Sequence, residues 1–404
     1  MKTTSNFLKA GLMIVALAVF GLAGCEDVNE ITIYDPDDTG GAAPTITALT
    51  PAGSYFAGFE TITITGTNFS ANAAENFVYF DGVQAQVQSA SANQLVVRTP
   101  NLVKENIAVK VATSQSVTHS NTISYNLTTL INRVGNLLAF ETPWAIAADS
   151  DNNLYVSYTT TNSVPDGVIK IAPDGSKTRY ANPQTWRYTN MAFGPDGYLY
   201  AVRGNTPIVY RVAPGGGAFA THVSGSGLSR NLYAITFDAD GNIWVGGNNT
   251  SFHRISPQRQ VTSFAFSENI TAMKFMNGAV FAATVNTSGA APKSVVYRIP
   301  INGGTAGTPT VYFDVDQATN TTGIQVSALE TDVNGNLYLG TDRPGMSILK
   351  VGPTSWSNFY PGIVDPVVLN FAWGGGQEIF ITRGVLGTSR QDLFRLNMQT
   401  TKGE

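Results

Sequence analysis

Cysteine is nearly absent from this chain: among 404 residues only Cys25 carries a thiol. A lone thiol closes no intramolecular disulfide, so a disulfide-stapled fold is excluded. Histidine is almost as scarce. His119, His222 and His253 are the three, and no two of them fall at metal-ligand spacing. Glycine-rich phosphate loops and serine-elbow patterns are missing as well. Charged residues make up 13% of the chain, against about 25% in an ordinary soluble domain. The net charge of −4 argues against a nucleic-acid partner, which needs a basic footprint. Beyond residue 24 no apolar run approaches membrane-spanning length.

What is present begins at the amino end. Lys2 and Lys9 flank a polar start, and residues 10–23 form an apolar run too short for a comfortable span. Leu22-Ala23-Gly24-Cys25 then resembles the lipobox of bacterial lipoproteins, which implies a signal peptide over 1–24, cleavage before Cys25 and lipidation of its thiol. Two or more acyl chains would hold the protein durably to a membrane. Cleavage moves the formal charge from −4 to −6. Glu26-Asp27 resembles the acidic export signal of some surface lipoproteins in the Bacteroidetes, so the expected address is the cell envelope, at the outer membrane and facing outward. Residues 25–43 are acidic and then glycine-rich, as a flexible tether is.

From residue 44 to 127 short runs of β-branched and aromatic residues appear. They include Thr61-Ile62-Thr63-Ile64-Thr65, Phe77-Val78-Tyr79-Phe80, Gln94-Leu95-Val96-Val97-Arg98 and Ile107-Ala108-Val109-Lys110-Val111, bounded by turn signals such as Asp81-Gly82. Period two at this spacing predicts a small β-sandwich. Pro44-Thr45-Ile46, Leu49-Thr50-Pro51, Gly66-Thr67-Asn68-Phe69, Val78-Tyr79-Phe80-Asp81-Gly82 and Thr99-Pro100, in that order, resemble an IPT/TIG immunoglobulin-like domain. The resemblance implies a spacer or an interaction module.

Residues 128–404 repeat themselves. An apolar strand, an Asp/Asn/Gly turn and a second strand with an early aromatic recur six times, as in Ile235-Thr236-Phe237-Asp238-Ala239-Asp240-Gly241-Asn242-Ile243-Trp244-Val245. The aromatic markers Tyr155, Tyr200, Trp244, Phe281, Tyr338 and Phe380 are 45, 44, 37, 57 and 42 residues apart. Periods near 40 to 50 without a helical pattern predict propeller blades, six of them, and an all-β chain overall. A third strand with a basic residue follows each phrase, and alternation places that residue on the face away from the core. The sixth copy stops after its third strand, near Met398, so residues 134–139 are expected to supply the missing outer strand and seal the ring.

The Asp-Gly-Asn-Leu-Tyr phrase resembles NHL-type propeller repeats and the wider group of streptogramin lyases and gluconolactonases. A lyase resemblance implies a catalytic histidine at the central face, and none stands at the start of an inner strand. A lactonase resemblance implies a Ca²⁺ or Zn²⁺ site. Glu141-Thr142-Pro143-Trp144 is similar to the segment by which that family supplies a metal carboxylate, with Asn190 and Asn370 at equivalent starts in blades two and six. The other equivalent residues, Ala145, Ala234, Ala272 and Ala328, carry no ligand atom. Glu141, Asn190 and Asn370 are therefore read as polar lining, with no catalytic residue and no resident cofactor. Residues converge where inner strands begin, and Trp144, Trp186, Arg187, Tyr188, Arg230, Tyr233 and Gln325 are the candidate binding rim. Aromatic faces beside Arg donors suit a glycan or a protein ligand. The expected function is non-catalytic binding at the envelope, with a propeller lactonase or lyase and a purely structural component as the alternatives.

Overall fold

The computed structural model describes residues 40–225, 227–286, 293–384 and 391–403, so the expected signal segment, Cys25 and most of the expected tether lie outside the described residues. Two compact units emerge. Residues 40–54 with Thr61–Pro100 and Asn106–Asn126 form the first, and Leu127 onward with Tyr55–Glu60 and Asn101–Glu105 the second.

The first unit is a sandwich. Thr45–Thr50, Thr61–Thr67 and Gln94–Arg98 pair side by side, as do Asn76–Phe80 and Lys104–Thr113. The strand Val83–Ser91 belongs to both sheets, because its first residues pair with Asn76–Phe80 and its last with Gln94–Arg98. Ile62, Ile64, Val78, Phe80, Leu95, Val97, Ile107, Val109 and Val111, the inward members of the alternating runs, are fully buried between the sheets. The Tyr125 hydroxyl donates to the Pro51 carbonyl at 2.8 Å and ties the last strand to the first turn.

The second unit is a six-bladed propeller. The inner strands are Thr142–Ala148, Asn190–Phe193, Leu232–Phe237, Asn269–Met276, Val326–Thr331 and Val368–Trp373, each paired antiparallel to the second strand of its own blade. The second strands Leu154–Thr159, Leu199–Val202, Ile243–Gly247 and Leu337–Thr341 are buried at every position. A blade packs on a neighbour through both faces, so those strands have no solvent side to alternate toward. For the same reason the basic residues of the third strands do not occupy an outer face. Each lies directly across from the aromatic marker: Tyr155 from Lys170, Tyr200 from Arg211, Trp244 from Arg254, Phe281 from Arg298, Tyr338 from Lys350 and Phe380 from Arg395. The ammonium groups of Lys170 and Lys350 stand 5.8 Å from the Tyr155 and Tyr338 ring centroids.

The repeated turn has a chemical core. Asp238 accepts from the backbone N–H of Asp240 and Asn242, from the Asn242 amide and, at 2.8 Å, from the Trp244 indole. Asp149 and Asp332 do the same with Asn153 and Tyr155 and with Asn336 and Tyr338. One carboxylate thus satisfies donors that the tight turn would otherwise strand. Gly241 turns the chain at φ +77°, a left-handed conformation that favours glycine. The 57-residue interval between the fourth and fifth markers contains extra structure: a long third strand, Lys293–Asn302, a short hairpin to Thr305–Ala306 and the helix Val315–Thr319.

Ring closure occurs as expected in kind but with different residues. Ile131–Arg133 pairs with the last strand Gln391–Asn397, Asn132 lying opposite Arg395. Residues 134–139 do not form that strand, because Gly135 and Asn136 adopt positive φ and turn the chain away. Leu137 instead drops between blades six and one against Leu393, Ile171 and Phe380.

Candidate ligand-binding rim

Inner strands, second-to-third-strand loops and blade-to-blade connections meet at one face of the propeller. There the connection 182–189 carries Trp186, Arg187 and Tyr188 past the inner strand of blade one. The Arg187 guanidinium lies 3.5 Å from the Trp144 ring centroid. Trp144 is fixed in turn, donating its indole N–H to Thr159 Oγ1 at 3.1 Å and accepting from Asn370 Nδ2 at its carbonyl, 2.9 Å away. Arg203, from the loop after the second strand of blade two, lies 4.3 Å from the Trp186 ring centroid. Tyr233 continues the surface into blade three, its ring packed so closely on Gly204 that an added Cβ would sit 3.3 Å from it. Asn231 Oδ1 accepts from the Asn205 backbone at 3.0 Å and joins the same two loops.

Four of the seven rim residues read from sequence therefore come together: Trp144, Trp186, Arg187 and Tyr233. Arg203 completes the group, and the sequence reading missed it because its partner is set by the connection of another blade. Arg230 is exposed beside this surface. Tyr188 is a correction, because it is 1% exposed and belongs to the core between blades one and two, 4.5 Å from Phe219. Burial raises its phenol above the usual tyrosine range, with the Trp186 side chain opposing. Gln325 also stands apart, in blade five, where its backbone exchanges hydrogen bonds with Asp342.

An arginine held over an indole loses conformational freedom while it keeps its N–H donors. Arg187 is exposed and engages only the Trp144 face among the contacts described. Such a group recognises carbonyl, carboxylate or hydroxyl oxygens presented edge-on.

The metal set does not converge. Glu141 accepts from the Leu138 backbone at 2.7 Å and stands 3.9 Å from Lys177, outside the channel, because the turn that closes the ring captures its carboxylate. Asn190 and Asn370 do face the channel, but the Asn370 amide is bound to the Trp144 carbonyl and to Thr382 Oγ1. Among the described residues no group of three or more His, Cys, Asp or Glu is placed to hold a metal ion. Among the contacts described, no histidine touches Trp144, Trp186, Arg187 or Tyr233. His253 Nε2 accepts from the Ser229 N–H at 3.0 Å, which places its proton on Nδ1 toward Ser263 Oγ at 2.9 Å. Burial lowers its pKa to about 4. His222 packs edge-on to Tyr200 and is lowered to about 4 by burial, then by Arg211 and Arg259. His119 sits in the sandwich, 5.8 Å from the Tyr79 ring.

The IPT/TIG domain family matches residues 44–129. The chain carries an IPT/TIG domain. The two component regulator propeller family matches residues 226–249, which include the inner strand, turn and second strand of blade three. No curated protein is significantly similar in sequence. Among solved structures, a protein of unknown function from Bacteroides thetaiotaomicron has a TM-score of 0.50 at 16% identity, covering 90% of this chain and 99% of that one. A putative gluconolactonase has a TM-score of 0.51 at 12% identity, over 68% of this chain and 93% of its own. A luciferin-regenerating enzyme reaches 0.51 at 14%, over 68% and 97%. At these identities the likeness is one of fold.

Proposed function

We propose that this protein is a non-catalytic binding protein of the bacterial cell envelope that engages an oxygen-rich ligand, a glycan or the backbone of a protein, at the rim of blades one to three. The observation that carries the reading is the Arg187 guanidinium held 3.5 Å over Trp144, next to the Arg203–Trp186 stack. Both pairs offer flat apolar area flanked by fixed donors, the combination that sugars and peptide groups bind. Lactonase chemistry is disfavoured by the capture of Glu141 at Leu138 and Lys177. In this reading Cys25 is lipidated, residues 25–43 are the tether and the IPT/TIG domain holds the propeller off the membrane.

Two experiments test it. The soluble protein starting at Glu26 is applied to arrays of bacterial and host glycans and of extracellular proteins; specific binding supports the proposal, and an array without a hit contradicts it. Labelling cells with an alkyne fatty acid should mark the full chain and leave Cys25→Ser unmarked, and label on both would refute the anchor.

A further inference from the structure

A separate feature lies inside the propeller channel, toward the face where the Asp turns cluster. The residue opposite each aromatic marker lines the channel cavity, and it is small in four blades: Ala147, Ala192, Thr236 and Ala372. Blades four and five instead place Lys274 and Glu330 there, with Lys274 Nζ 2.5 Å from Glu330 Oε2. The three alanines leave room across the channel from this pair. The cavity encloses about 370 Å³, inside the range of about 300–1,000 Å³ typical of small-molecule sites.

Residues 400–403 bring in a second cation. Val333 N–H donates to the Thr401 carbonyl at 2.9 Å and Gly403 N–H to the Thr331 carbonyl at 2.8 Å, so this segment runs along the inner strand of blade five and delivers Lys402 to the channel wall. Water reaches Lys402, though protein surrounds it. Lys274 and burial both hold its amine below the usual lysine range, against the pull of Glu330. The carboxylates of Asp238 and Asp332 nearby are taken up by their own turns. Among the described residues lining the channel, two ammonium groups thus share one carboxylate that is not taken up by its own turn.

We propose that the channel binds a small organic carboxylate, its anionic end between Lys402 and Lys274 and its polar body toward Asn190. Asn190 lines the same cavity from the other end of its inner strand. This site is independent of the rim.

Isothermal titration of the soluble full-length propeller protein with D-galacturonate and with benzoate, each beside its neutral counterpart, D-galactose or benzyl alcohol, tests the inference. At least one carboxylate should bind one-to-one while its neutral partner does not. Lys402→Gln should weaken that binding about tenfold or more, Lys402→Arg should keep it, and Trp186→Ala should leave it unchanged. Absence of carboxylate binding at about 10 mM, equal affinity in Lys402→Gln, or loss in Trp186→Ala would each overturn it. Lys402 is preferred over Lys274 for substitution because removing Lys274 strands Glu330 in the wall.

Discussion

Replacing Asp238 by alanine should destabilise the propeller far more than an ordinary turn substitution. The carboxylate is 8% exposed and accepts from two backbone donors, from Asn242 and from Trp244, which are 6% and 0% exposed. Its loss leaves the indole N–H and the Asn242 amide without acceptors in a dry seam, at about 1–3 kcal/mol for each buried donor, whereas water can partly replace it at the turn backbone. The total is about 2–6 kcal/mol, or a fall in melting temperature of about 4–24 °C at about 2–4 °C per kcal/mol. Differential scanning calorimetry and urea titration both read this directly. A cycle with Trp244→Phe, which removes the indole donor, should show about 1–2 kcal/mol of coupling to Asp238→Ala. A melting point unchanged in Asp238→Ala, or strict additivity in the cycle, would refute the view that this carboxylate organises the blade.

The seam between the last and first blades should be equally sensitive: Leu137→Ala, at a side chain 4% exposed, is expected to cost about 2–4 kcal/mol, and a loss within the error of urea titration would mean the ring is sealed otherwise. Acid should weaken the fold through its histidines. His222 and His253 titrate at about 4 in the folded protein and at about 6.5 when unfolded, so the unfolded chain takes up protons first as pH falls. The stability present above about pH 6.5 is then lost progressively toward about pH 4, by about 2–3 kcal/mol per histidine. Urea midpoints at neutral and acidic pH should show that drop, and His253→Gln should remove about half of it; an equal drop in the variant would contradict the assignment. Chelation should leave the melting temperature unchanged, and a calcium- or zinc-dependent rise of several degrees would reopen the metal reading.

Much of the architecture could be read from local chemistry. The phrase Asp-x-Asp/Asn-Gly-Asn-x-aromatic is legible because each of its members serves the same turn, whatever surrounds it. Blade four departs from it at Asn277-Gly278 and has an inserted hairpin and helix, yet Phe281 still marks its second strand. Val83–Ser91 escaped the sequence reading because its alternation, Val83-Gln84-Ala85-Gln86-Val87-Gln88, is weakly apolar and has no aromatic; its pairing with both sheets makes it a strand. Ile131–Arg133 was hidden for a similar reason, one apolar residue in three, while the more apolar stretch after it contains the Gly135–Asn136 turn. At the rim, Trp144 and Trp186 were visible as aromatics at inner-strand starts. Their arginine partners were fixed by neighbouring loops, so Arg203 was invisible and Tyr188 was taken for surface. Glu141 illustrates the converse: its local motif fits a metal ligand, but Leu138 and Lys177 hold the carboxylate elsewhere.

The rim of blades one to three is best tested by the affinity of the wild-type protein and Arg187→Ala for the same array ligand, with circular dichroism to confirm that both are folded. Arg187 is exposed and its removal disturbs no core packing, so the fold should survive. A loss of about tenfold or more in affinity is the predicted result, corresponding to about 1.4 kcal/mol or more. Equal affinity in the two proteins would contradict a ligand site at the Arg187–Trp144 stack.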